Sequence, residues 1–137
     1  MLELPILGAS LYVPANRPDL SSIAAGEKLS NMRSIIFCTE DAVTLADLGS
    51  ALICLAEALN HLSPADDRRR FVRVRNPEIM RQVLGMPGAD RLDGFVLPKV
   101  TAENFETYMD HLDSRGNSTH WVMPTLETRE IFNDSSV

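Results

Sequence analysis

Short apolar runs, each closed by a proline or a polar cluster, alternate along this chain with longer stretches whose apolar residues recur every three or four positions. A strand buried on both faces is a short apolar run, and a helix lying on a sheet has a 3.6-residue apolar period. Residues 8–13 form the first run, stopped by Pro14, and 20–29 have helical spacing after Pro18-Asp19. Residues 34–38 are a second strand, too apolar for an exposed edge. Residues 45–62 form the clearest helix, with Leu45, Leu48, Leu52, Leu55, Ala56 and Leu59 on one stripe and Ser63-Pro64 as its stop. Residues 71–75 alternate with period two before Asn76-Pro77 turns the chain. A short helix over 77–84, a strand over 94–97 stopped by Pro98, a helix from 101 to about 112 and a fifth strand over 120–123 complete the pattern.

The order β-α-β-α-β-α-β-α-β implies parallel strands joined by right-handed crossovers. No repeat, linker or low-complexity tract interrupts it, so residues 1–137 read as one domain. Two architectures satisfy the pattern: an open doubly wound sheet, or about five units of a (β/α)8 barrel. At 137 residues the pattern by itself favours the open sheet, because a closed barrel takes roughly 200 residues or more. The glycine-rich phosphate loop of a dinucleotide fold is absent after the first strand, where Pro14-Ala15-Asn16-Arg17-Pro18 stands instead.

Charge narrows the function classes. The net charge of −6 argues against a nucleic-acid footprint. The basic run Arg68-Arg69-Arg70 follows Asp66 and Asp67 and reads as a solvated turn. No apolar run approaches the roughly 18 residues of a membrane span, and Glu3 and Pro5 do not make a secretory signal. Cys38 and Cys54 belong to no C-x-x-C pair and read as free buried thiols. A cytoplasmic protein is the expectation.

Parallel strands in such a fold deliver their C-terminal ends to one mouth. Those ends carry Asn16 and Arg17, Glu40 and Asp41, Arg73 and Arg75, Lys99, and finally Thr125 and Glu127. Carboxylates suit a hard divalent cation, and arginines suit bidentate capture of a substrate carboxylate. Each also has a plain structural reading. Glu40-Asp41 would serve as cap and first-turn acid of the following helix, and Lys99 as a surface lysine. Arg73 and Arg75 are harder to dismiss, since an inward arginine on an apolar strand must find an acid or a ligand. His61, His111 and His120 share no spacing with any acid and read as structural or solvated.

Five phrases carry a family resemblance: Leu11-Tyr12-Val13-Pro14-Ala15-Asn16-Arg17-Pro18, Glu40-Asp41-Ala42-Val43, Val72-Arg73-Val74, Asp93-Gly94-Phe95-Val96-Leu97-Pro98-Lys99-Val100 and Met123-Pro124-Thr125-Leu126-Glu127-Thr128. In this order they resemble the L-F-V-P-G-x-R-P, D-L-E-D-A-V, V-R-V-N, D-G-I-V-L-P-K-V and P-x-I-E-T phrases of the citrate lyase β-subunit-like proteins, within the HpcH/HpaI aldolase superfamily. The resemblance implies a TIM barrel that makes or breaks a carbon–carbon bond next to a carboxylate. It implies Mg²⁺ as cofactor, with Glu127 as its direct ligand and Glu40 and Asp41 holding its waters. Arg73 would grip the substrate carboxylate, and Arg17 and Lys99 would help bind a keto acid or acyl-CoA. Cys38-Thr39 replaces the family's Asp-Leu, Ala15 its loop glycine and Arg75 its asparagine. On this reading the chain is the N-terminal portion of a barrel. Alone it is expected to be inactive and to self-associate. The alternative is a non-catalytic barrel remnant that works through oligomerisation or a partner.

Overall fold

The computed structural model describes residues 10–63, 68–114 and 120–125. Its five strands are β1 (Ser10–Pro14), β2 (Ser34–Cys38), β3 (Arg69–Arg73), β4 (Gly94–Leu97) and β5 (Trp121–Pro124). They form one sheet in the order β1-β2-β3-β4-β5, every neighbouring pair parallel. Four helices lie between them: α1 (Leu20–Ala24), α2 (Leu48–Leu59), α3 (Pro77–Leu84) and α4 (Ala102–Asp113).

This order decides between the two architectures. A doubly wound sheet reverses direction at a switch point and carries helices on both faces. Here each strand is followed in space by the next in sequence, so right-handed crossovers place every helix on the same side. The packing agrees. Val13, Ile35, Phe37, Val72, Phe95 and Leu97 share one core with the buried residues of all four helices. Ile36, Phe71 and Val96 form a second cluster with Trp121 and Met123, and no helix residue enters it. A sheet with helices outside and side chains only inside is a run of (β/α)8 barrel wall.

Local chemistry fixes the elements. Asn76 caps α3, its side chain accepting from the Ile79 N–H at 2.9 Å, and Pro77 occupies the first turn, where a missing N–H costs nothing. Thr101 and Asn104 close a reciprocal capping box at the start of α4. Gly94 lets β4 and β5 approach: a Cβ there would stand 2.1 Å from the Trp121 carbonyl oxygen.

Four expectations need correction. The helix expected over 20–29 ends at Ala24, and Gly26 (φ +85°) and Leu29 (φ +55°) take the chain out of it. The 45–62 helix starts with a 3-10 turn, Leu45–Asp47, capped by Thr44. Its buried stripe is Ala51, Leu55, Ala58 and Leu59, whereas Leu45 is 74% exposed. Leu55 and Leu59 of the expected stripe are buried, Leu48 and Leu52 pack partly buried against the same core, and the buried face also takes in Ala51 and Ala58. β3 begins at Arg69, two residues before the expected start, and the basic run is no solvated turn. Arg68 and Arg70 are buried, and Asp93 accepts from the Arg70 N–H at 2.7 Å and from Arg69 Nη1 at 3.3 Å.

Both cysteines are free; Cys38 is buried and Cys54 half-buried. Among the described residues no helix is long and apolar enough to cross a membrane.

Candidate active site at the strand C-termini

Register brings the expected residues together. Pro14, Cys38 and Arg73 lie level at the C-terminal ends of β1, β2 and β3. Thr39 ties two of these ends: its N–H and its hydroxyl both donate to the Arg73 carbonyl, at 3.0 and 2.8 Å. Glu40 and Asp41 follow directly, so their position is set by the β2–β3 junction. They do not cap the next helix; Thr44 does that.

Glu40 is the hub. It is 6% exposed and sits between two cations. Its Oε1 accepts from Arg73 Nε at 3.1 Å and pairs with Nη2 at 3.0 Å, and its Oε2 accepts from Lys99 Nζ at 3.5 Å. Asp41 reaches Arg73 Nη2 only at 3.7 Å, and its side chain is 70% exposed. The two acids act on each other. Burial, then the hydrogen bond and charge of Asp41, raise the Glu40 carboxyl above its ordinary range, although Arg73 and Lys99 pull the other way. The same hydrogen bond lowers Asp41. Ion-pair distances alone would make Glu40 a firm carboxylate. Burial beside a second acid outweighs them, because Lys99 is largely exposed and Arg73 divides its donors between both acids. Burial thus favours the protonated form of Glu40 more than its ion pairs alone would, and Asp41 is the more acidic member of the pair.

Arg73 is well enclosed, and its Cζ lies 5.7 Å from the centroid of the Tyr12 ring. Tyr12, Cys38, Asp41, Ala42 and Arg73 line a cleft of about 200 Å³. Lys99 has a left-handed backbone (φ +49°), an unusual state for a non-glycine residue. It is fixed from both sides: its N–H donates to Thr125 Oγ1 at 3.2 Å and its carbonyl accepts from Asn104 Nδ2 at 3.1 Å.

Two expected members stand apart. Arg17 pairs with Asp19 at 2.6 Å, on the loop after β1. Arg75 donates to the carbonyls of Glu40 and Val43, so it holds the β2 loop rather than facing the cleft. Glu127 lies outside the described residues. His61 meets the Glu57 carbonyl and His120 the Ala89 carbonyl, both structural. Sequence reasoning passed over Tyr12, Asn104 and Tyr108. Tyr12 was open to discovery: it lies two residues before Pro14, on the inward face by alternation. Tyr108 was not. It is buried on α4, and desolvation, with the Glu40 charge behind it, pushes its phenol up to about 12.

The fit to Mg²⁺ can be judged from the donors. Among the described residues no three Asp, Glu, His or Cys side chains gather as a metal site. Both Glu40 oxygens face cations, which suits an acid beyond the ion's own ligands and not a direct ligand. Asp41 is open to solvent and can accept from a metal-bound water.

No curated relative matches the chain. The family model for C–C bond lyases of the TIM-barrel fold matches residues 2–137, nearly the whole sequence. Its fold agrees with the strand order and the one-sided helices described above, and the chain belongs to that family of C–C bond lyases.

Proposed function

We propose that this chain carries the carboxylate-binding side of a Mg²⁺-dependent C–C bond lyase of the citrate lyase β type, acting on a short keto or hydroxy acid or its coenzyme A thioester. The single observation behind this is Arg73 at the strand mouth, enclosed, hydrogen-bonded to Glu40 and lining the cleft with Asp41. The 3.7 Å contact between Arg73 and the exposed Asp41 is the weak member of the network. A substrate carboxylate competes for that donor and leaves the buried Glu40 pair intact.

Cleavage next to a carboxylate removes the proton of a 3-hydroxyl, turns that carbon into a carbonyl and leaves the bonding electrons as an enolate. The Glu40–Asp41 pair is proposed to take the hydroxyl proton, with the solvent-exposed Asp41 as the member open to substrate. Arg73 orients the acid, and Lys99 adds positive charge across Glu40. Mg²⁺, when bound, supplies Lewis-acid polarisation of the carbonyl. Glu127 is its proposed direct ligand, with Glu40 and Asp41 outside it. Arg17, paired with Asp19 on the loop after β1, is proposed as a further substrate contact on the resemblance alone.

Calorimetry or NMR titration with pyruvate and oxaloacetate, with and without Mg²⁺, tests the reading. Weak, saturable binding is expected, strengthened by Mg²⁺ and markedly weakened, though still measurable, in Arg73→Ala. Absence of binding by wild type, or equal binding by Arg73→Ala, refutes it. Turnover is assigned to the closed barrel, where further strands complete the wall. A second reading, a non-catalytic barrel piece that self-associates, draws on β1 and β5, each paired on one side only among the described strands. Sedimentation showing a well-folded monomer argues against it.

A further inference from the structure

Among the described residues three large apolar side chains are exposed: Leu45 and Ile53 belong to the helical layer, but Tyr12 is on a strand. Tyr12 is level with Ile36, and Ile36 with Phe71. Both neighbours are buried inside the sheet's concave face, yet Tyr12 is 46% exposed. Isolated surface aromatics are ordinary. This one has a specific partner.

Arg73 is two residues beyond Phe71 on the same face, one layer nearer the mouth. Its side chain reaches toward β1, where its Cζ stands 5.7 Å from the Tyr12 ring centroid, inside the roughly 6 Å range of a cation–π contact. Burial alone would make Arg73 less basic, but its interactions with Tyr12 and with the Glu40 carboxylate reverse this and raise it. The Tyr12 ring and the Glu40 carboxylate thus act on the same guanidinium. Tyr12 and Arg73 also share the cleft wall.

We infer that Tyr12 is a positioning residue that pins the Arg73 guanidinium between its own ring and Glu40, so that a fixed face of the cation meets an incoming carboxylate. The inference rests on Arg73 being the carboxylate grip. The reason is preorganisation: a long arginine side chain held in place before binding loses less freedom on binding. In the resembling L-F-V-P-G-x-R-P phrase a phenylalanine stands at this place, so the hydroxyl is a feature of this chain.

The test has an arm without ligand and an arm with one. In the free protein the Arg73 Nε–H resonance is expected to be displaced by the Tyr12 ring current. Tyr12→Phe should keep most of that displacement. Tyr12→Ala should abolish it and speed modification of Arg73 by phenylglyoxal. Tyr12→Leu serves instead if the alanine variant lacks a dispersed spectrum. With pyruvate as probe, Tyr12→Ala should weaken binding roughly tenfold and Tyr12→Phe about two- to threefold. In an Arg73→Met background neither change should matter, since Tyr12 acts through Arg73. An Arg73 resonance unmoved by Tyr12→Ala overturns the inference. So does a pyruvate loss that persists in full without Arg73. If wild type binds no pyruvate, the carboxylate-grip reading falls, and the free-protein resonance still decides whether Tyr12 holds Arg73.

Discussion

Replacing Glu40 separates two roles that its surroundings impose at once. Glu40→Ala removes the acceptor of two Arg73 donors and of Lys99. Removing one partner of a buried pair costs about 3–5 kcal/mol. Arg73 keeps its Tyr12 contact and a longer one to Asp41, and the exposed Lys99 pair is worth about 0–1 kcal/mol. A loss of about 2–3 kcal/mol is the reasoned figure. Glu40→Gln keeps one acceptor oxygen and removes a charge that burial disfavours. It should cost about 1 kcal/mol or less. The pH dependence is sharper than either magnitude. The folded-state value of Glu40 lies above 4.5, so between 4.5 and that raised value the folded state binds the extra proton. Stability from this group therefore falls as pH rises through the window and is restored as pH drops. Asp41 is lowered, so its contribution is present above 3.8 and is lost only as pH falls through its depressed value. Urea denaturation of wild type and Glu40→Gln from pH 4.5 to 8 isolates the Glu40 term. Wild type should gain on the glutamine variant as pH falls. A gain as pH rises would show that Arg73 and Lys99 dominate, and would refute the raised Glu40 carboxyl.

Gly94→Ala should destabilise by about 3 kcal/mol or more, read by thermal melting, because its Cβ meets the Trp121 backbone and not a movable side chain. Thr101→Ala should cost about 1 kcal/mol through the α4 capping box, while Thr101→Ser should cost much less. Lys99→Gly should stay within about 1 kcal/mol of wild type, since release of left-handed strain offsets the added freedom of the unfolded chain. The same variant should weaken keto-acid binding by loss of the ammonium, measured by titration.

Proline stops and apolar runs made the strand ends legible: Cys38 and Leu97 end their strands as expected, and the fifth strand ends one residue later, at Pro124. Arg73 and Glu40-Asp41 were legible as a shared mouth because parallel strands deliver their ends to one side. The barrel itself was not legible from periodicity, since strand order is a tertiary fact; the five phrases pointed to it. Arg75 shows a further limit. Alternation placed it beside Arg73, but β3 ends at Arg73 and the next residues bend, sending Arg75 to backbone carbonyls. The α2 stripe was legible in part: Leu55 and Leu59 are buried as expected, whereas Ala51 and Ala58 are weak hydrophobic signals and are fully buried too.

The sequential strand order also sets a timetable. Each strand has its partner in the preceding unit, so β/α units can dock one after another without waiting for a distant segment. The charges at the mouth do not follow that local rule. Glu40 meets Arg73 across 33 residues and Lys99 across 59. Through the docking of β2 the acid has neither cation. It acquires one with β3, and the second only when β4 is in place. Burial, the largest influence raising its carboxyl, comes only as the wall encloses it, so the electrostatics of the site depend on contacts made after β2 is in place.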